Sequence, residues 1–277
     1  MLIQYLITFV GKTKQEILNN LDYFGAHGNI LVGNQMCEID SNETIVTKNY
    51  TVTIFNMKSK GVSKNRNFLL KHSSAEFITF LDDDMHFLVE NQKEVANYLK
   101  QKSTYCVRFN VVSNNPSRPI KQLKKEGFIG FRKLTSYGVW GCFFRRQYLI
   151  DNSIFFDENI GPGTSINHGE DGLFLRCFTR KEKIYNVPLV VFTIDQIEST
   201  WHSDTNRDLK QELFSHGYLY YLLYGKTAIF MSAMFLITHK DCFPKKTNRF
   251  MLFKHMKSGI CMSKKDTAKR KQIICEL

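Results

Sequence analysis

No two of the seven cysteines, at 37, 106, 142, 177, 242, 261 and 275, form a C-x-x-C pair. Their odd number and wide spacing argue against a structural zinc site and for a reducing compartment. The apolar opening, residues 1–10, has neither a basic leader nor a small-residue cleavage site, so it reads as a first core strand and not as a signal peptide. There is no internal repeat and no low-complexity linker. A membrane-spanning helix needs roughly 20 mostly apolar residues. The strongest candidate, residues 213–237, reaches that length only by taking in Lys226, and Ser215, His216 and Thr227 also interrupt it. A helix lying on a membrane or packed on a core fits it better than a spanning one. An ordinary amphipathic helix followed by a solvated tail is the alternative.

Acidic residues are also in short supply: 38 Lys and Arg face 26 Asp and Glu, for a net charge of +12. The excess is local. Residues 240–277 hold eleven basic and three acidic residues, a net +8, which leaves +4 for residues 1–239. A nucleic-acid-binding protein would spread basic and stacking residues over its main face, so no nucleic-acid partner is expected. A basic C-terminal segment suits an anionic membrane surface instead. At 277 residues, 43% hydrophobic and 23% charged, the chain has the composition of a soluble globular protein with room for a large core.

Periodicity places the elements. Residues 12–24 carry Ile17, Leu18, Leu21 and Phe24 at helical spacing and exit at Gly25 and Gly28. Residues 29–33 form a second strand ending at Asn34, residues 50–57 a third, and residues 61–72 a helix leading to the strand 77–81. Farther on, 104–112 alternates like a strand, 114–125 is an exposed loop, 155–157 reads as a strand end, and 187–194 is another strand. Leu173, Phe174, Cys177 and Phe178 share a helical face, which puts Glu170 and Asp171 in the first turn of that helix. Strands alternating with helices predict a mostly parallel, doubly wound α/β sheet with helices on both faces.

The chemistry concentrates where the apolar run 77–81 meets Asp82, Asp83 and Asp84. Sheets of this class place ligands at the carboxyl ends of their strands, and three adjacent carboxylates repel one another unless a cation sits among them. Oxygen ligands of this kind suit Mg²⁺ or Mn²⁺. Strand alternation would turn Asp82 and Asp84 to one side and Asp83 to the other. The competing reading is a helix cap with the remaining acids solvated. Asp171 could act as a general base, although acids in a first helical turn are also common for stability alone. His202 could complete a metal's ligands, and Arg66 could reach phosphate oxygens; each alone could equally be a surface residue.

Taken in order, Gly61-Val62-Ser63-Lys64-Asn65-Arg66-Asn67, Phe80-Leu81-Asp82-Asp83-Asp84, Phe156-Asp157-Glu158 with Gly161 and Gly163, and Gly169-Glu170-Asp171 resemble glycosyltransferase family 2. The resemblance covers about residues 1–205 and implies a GT-A fold. It would divide into a nucleotide-sugar-binding half (1–105) and an acceptor-binding half (106–205), followed by an apolar and basic helical extension (206–277). It implies inverting transfer of a hexose or N-acetylhexosamine from a nucleotide sugar, expected as a UDP-sugar, to a hydroxyl of a glycan or lipid-linked acceptor. It also implies a divalent metal, Mn²⁺ or Mg²⁺. Asp171 would be the base, Asp84, Asp82 and His202 would serve the metal, and Asp82 would also face the ribose or donor sugar. Phe9 and Asn34 would lie near the base, Trp140 and Gly141 along the donor and acceptor sugars, and Arg66, Asp83 and Glu170 would complete the substrate contacts. The expected setting is the inner face of a bacterial cytoplasmic membrane, in lipopolysaccharide or capsule synthesis.

Two features depart from the family pattern: Val10-Gly11-Lys12 stands where many members have a Pro-x-Tyr-Asn turn, and Asn34 stands where an Asp often contacts uracil. The absence of a Gln-x-x-Arg-Trp segment argues against a processive synthase. A sugar nucleotidyltransferase would want a glycine- and arginine-rich loop after the first strand, which Gly11-Lys12-Thr13-Lys14 does not supply. A two-metal nuclease is the remaining rival.

Overall fold

The computed structural model describes residues 1–117, 119–134, 137–195, 209–239, 243 and 248–269. Its strands and helices follow one another as β1 (Ile3–Val10), α1 (Lys14–Tyr23), β2 (Gly28–Gln35), β3 (Ser41–Val46), β4 (Tyr50–Met57), α2 (Val62–His72), β5 (Phe77–Leu81), β6 (Met85–Phe87), α3 (Gln92–Gln101), β7 (Cys106–Ser113), β8 (Gly127–Ile129), β9 (Cys142–Arg145), α4 (Arg146–Asp151), α5 (Glu170–Lys181), β10 (Ile184–Ile194), α6 (Leu209–Tyr224), α7 (Ala228–Thr238) and α8 (Arg249–Lys269). The strands form one sheet in the order β3-β4-β2-β1-β5-β9-β7-β10-β6, with β8 beside β10. β4, β2, β1 and β5 run parallel, as do β7 and β10. β9 runs antiparallel between β5 and β7.

β1 is apolar almost throughout because helices cover both faces of the sheet. Tyr5, Ile7 and Phe9 point into one core and Leu6 into the other, as the two-residue period of a strand requires. The first core continues through Val32, Val52 and Ile54, the second through Ile78, Phe80, Phe144 and Phe174. α1 is started by a reciprocal cap: the Thr13 hydroxyl accepts from the Glu16 amide at 3.3 Å, and the Glu16 carboxylate accepts from the Thr13 amide at 2.8 Å. Such a cap is worth about 1 kcal/mol.

The structure corrects several expectations. Residues 155–157 are not a strand; they lie in a loop whose backbone is held by side chains of α2, with only an isolated bridge from Ile160 to Ile166 farther along. β3, β6 and β8 escaped the apolar-run reading because they are short or polar edge strands, each pairing antiparallel with one neighbour. The stretch 213–237 is not one helix, since the 3₁₀ turn Gly225–Thr227 divides α6 from α7. Within the basic segment, residues 249–269 are no solvated tail: α8 buries Leu252, Met256 and Ile260. Its crossing with α6 is close, because a Cβ on Gly217 would lie 1.9 Å from the Met256 carbonyl and one on Gly259 2.0 Å from the Phe214 carbonyl. α6 in turn packs on the sheet domain, where Tyr218, Leu219 and Leu222 form a cluster with Ile160, Ile166 and Leu173.

Candidate active site

Three elements meet at the carboxyl edge of the sheet. β5 ends at Leu81, and Asp83 and Asp84 then sit in the turn before β6. The alternation expected for Asp82 and Asp84 therefore does not apply, since a turn and not a strand carries them. α5 begins directly after Gly169, whose φ of 92° is open to glycine but strained for other residues, and its first turn presents Glu170 and Asp171. Between these two acidic groups lies the polar face of α2. Each buried polar residue in Ser63-Lys64-Asn65-Arg66-Asn67 is a latch. Ser63 donates to the Ile160 carbonyl at 2.5 Å, Asn65 to the Gly33 carbonyl at 2.7 Å, and Asn67 both donates to the Phe156 carbonyl and accepts from its amide at 2.9 Å.

Arg66 ties the groups together. Its side chain is 3% exposed; Nη2 donates to Asp82 Oδ1 at 2.8 Å and Nη1 to Asp171 Oδ1 at 2.6 Å, with Glu170 Oε1 at 3.7 Å from Nη1. Burial by itself would weaken its charge, but Asp171, Asp82 and Glu170 hold the guanidinium protonated. The other oxygen of Asp171 accepts from the Val139 amide at 3.2 Å. That contact needs Gly138, since a Cβ there would lie 2.8 Å from Asp171 Oδ2 and 2.2 Å from Trp140 Nε1.

The acids differ in charge state. Burial and then the Asp171 charge push Glu170 up to about 7. Burial also raises Asp171, against the pull of Arg66. Asp84 is pushed up to about 6 by burial and by Asp82, Asp83 and Asp195. Its Oδ1 is buried without a hydrogen-bond partner. Asp195 lies at the end of β10: its amide donates to the Asp84 carbonyl at 3.2 Å and its carboxylate bonds His86 at 2.9 Å and Asn114 at 2.8 Å.

The glycosyl transferase family 2 model matches residues 40–169, a span that contains α2, the aspartate turn and Gly169. The match to the family 2 glycosyltransferase model thus covers the elements that build this site. Among solved structures, S. aureus TarS 1–349 with UDP-GlcNAc is similar at 17% identity and a TM-score of 0.59, covering 87% of this chain and 73% of that one. The same fragment with UDP gives 17% identity and a TM-score of 0.58, covering 91% and 75%. TarS itself gives 16% identity and 0.57, and the chain spans 43% of its length. At these identities the likeness is one of fold, and that fold is GT-A. No curated protein matches the sequence.

At this site the predicted residues divide. Arg66, Asp82, Glu170 and Asp171 converge, with Trp140 half-buried beside them and Asp83 exposed at the rim. Phe9 and Asn34 are packed inward. Phe9 is 1% exposed in the first core, and Asn34 is fully buried, its carboxamide bonded to both backbone groups of Lys12 and to Asn56. Both side chains are engaged within the protein itself. Gly141 is also a packing position, because a Cβ would lie 2.8 Å from the Phe109 carbonyl. His202 lies outside the described residues. Sequence reasoning missed Asp195 and the Val139 amide. Asp195 carried a usable signal, since it too follows a strand at the edge where this fold places ligands. Val139 carried none.

Proposed function

We propose that this glycosyltransferase moves a hexose or N-acetylhexosamine from a UDP-sugar to a hydroxyl of a glycan or lipid-linked glycan, with inversion. The observation that carries the reading is the buried Arg66 fork, which joins a carboxylate of the aspartate turn to the acid at the start of α5. Asp171 takes the proton of the acceptor hydroxyl. The acceptor oxygen then bonds the anomeric carbon from the face opposite the diphosphate, whose bond to that carbon breaks and carries the electron pair away. Arg66 keeps Asp171 ionised enough to act as a base despite its burial, and the Val139 amide orients it. Glu170, poised near neutrality, lets the pair share one negative charge.

The residues present fit a divalent cation. The orphaned buried oxygen of Asp84 and the mutual repulsion of Asp82, Asp83, Asp84 and Asp195 are what a hard cation would relieve. Among the described residues no group of three or more His, Cys, Asp and Glu converges to hold a metal unaided. Asp84 with Asp82 would hold it, and His202 would join them. Bound there, Mn²⁺ or Mg²⁺ supplies the positive charge that a departing diphosphate requires. The UDP-bound TarS structures support the choice of nucleotide.

The test is hydrolysis of, and transfer from, a panel of nucleotide sugars with Mn²⁺, Mg²⁺ or chelator. UDP-sugar turnover that requires the metal and vanishes in Asp84→Ala is expected. Turnover indifferent to chelator, or an Asp84→Ala enzyme of full activity, would overturn the metal assignment, and preference for another nucleotide would overturn the donor.

A further inference from the structure

We propose that the outer faces of α7 and α8 form a docking surface for an anionic lipid bilayer. The exposed side of α7 is apolar, unlike that of a helix at a soluble surface. Of its residues AIFMSAMFLIT, Ser232 is fully buried, while Ile229, Phe230, Met234 and Ile237 are 49%, 65%, 40% and 60% exposed. These four fall on one arc of the helix at 100° per residue, and no charged residue occurs between Ala228 and Thr238. The start of α8 also exposes apolar residues, Phe250 at 75% and Met251 at 53%.

The interior of the three-helix unit shows the complementary pattern. Small residues line it: Ser215, Ser232 and Ser263 are fully buried, and Gly217 and Gly259 set the α6–α8 crossing. Leu213, Leu236, Leu252 and Met256 fill the rest of that interior, so the large apolar residues on the outside are surplus to the packing of the unit. The unit lies on the bilayer and does not span it. The stretch Leu209–Thr238 is long and apolar enough to cross a membrane by length and composition, but Gly225–Thr227 breaks it and α6 is committed to the sheet domain through Tyr218, Leu219 and Leu222.

Charge selects the bilayer over a second copy of the chain. α8 exposes Arg249, Lys254, Lys257, Lys264 and Lys265 together with Phe250 and Met251, with no exposed acid among its described residues. Like charges would repel across a two-fold contact, whereas anionic headgroups would attract each of them.

The full chain is floated on vesicles of phosphatidylcholine alone and of phosphatidylcholine with phosphatidylglycerol. The wild type should float with the anionic vesicles and far less with the neutral ones. Phe230→Glu and Ile237→Glu should each lower recovery by roughly tenfold. Lys254→Glu with Lys257→Glu should remove the preference for phosphatidylglycerol. Thermal melting and UDP-sugar hydrolysis, read in the same preparations, should not change, because these positions are exposed and lie away from the acids of the site. Equal recovery on both vesicles, undiminished flotation of the glutamate variants, or a dimer in solution that Phe230→Glu dissociates would each overturn the proposal.

Discussion

Replacing Arg66 with Met removes the cation that pairs with Asp82, Glu170 and Asp171 while keeping most of the side chain's volume against the Phe156 ring, whose centre lies 5.2 Å from the guanidinium carbon. Asp82, with 37% of its side chain exposed, is screened by water and contributes little. Asp171 and Glu170, at 20% and 12%, are not screened in this way. Deleting one partner of a buried ion pair costs about 3–5 kcal/mol because it strands the other charge. The sign of the pH dependence follows from the carboxyls. Glu170 is raised from 4.5 to about 7, so its ionisation opposes folding, and stability is lost as pH climbs from the unfolded value through the folded one. Without Arg66 both carboxyls rise further. The deficit should therefore be largest near about pH 8 and shrink by more than about 1 kcal/mol near about pH 5, where the native state takes up the protons. Urea unfolding followed by far-ultraviolet circular dichroism, at low salt and at both pH values, measures it. An unchanged midpoint, or a deficit independent of pH, would show that Arg66 is not the countercharge of this cluster.

Asp171→Asn should bind the UDP-sugar within about threefold of the wild type and lose at least about 100-fold in transfer, since a carboxamide cannot take the proton; lost binding would assign Asp171 to structure. For Asp84, metal affinity measured by calorimetry should fall as pH drops through about 6, because protonation removes the ligand charge, and a flat profile would count against it as a ligand. Gly169→Ala should cost about 1–3 kcal/mol for a left-handed residue with a Cβ. That Cβ would lie 2.2 Å from Leu219 Cδ1, so Leu219→Ala added to it should cost less than the two single losses together, and strict additivity would show that α6 does not press on this loop.

Much of this molecule is readable from local pattern. Residues 77–81 had to be a buried strand because nothing in FITFL can face water gladly, and Leu173, Phe174, Cys177 and Phe178 fixed the helix that carries Asp171 in its first turn. Both are statements about one segment and its solvent. The edge strands were hidden because an edge has one neighbour and often one wet face; Ser41–Val46 reads SNETIV and has no buried residue. α8 was legible in part, since Leu252, Met256 and Ile260 recur at four-residue spacing under a basic sequence that drew attention to itself instead.

The sequence alone thus determined the central strands, the starts of α1, α2 and α5, and that Asp82 to Asp84 stand at the carboxyl edge, because each depends on residues within a turn or two of one another. Tertiary structure decided the partnerships. Arg66 looked like any cation in a polar helix until the sheet brought Asp82 and Asp171, 16 and 105 residues away, to opposite ends of its fork. Asn34 stood where a base contact was expected, and the neighbouring strand and the following loop used up its carboxamide. On α7 the sequence showed an apolar helix with no marked side; only packing against α6 and α8 determined that Ala228, Ser232 and Leu236 lie inside and Ile229, Phe230, Met234 and Ile237 outside. A side chain's donors, acceptors and neighbours are set by chain segments distant in sequence, and pattern within a segment carries no record of them.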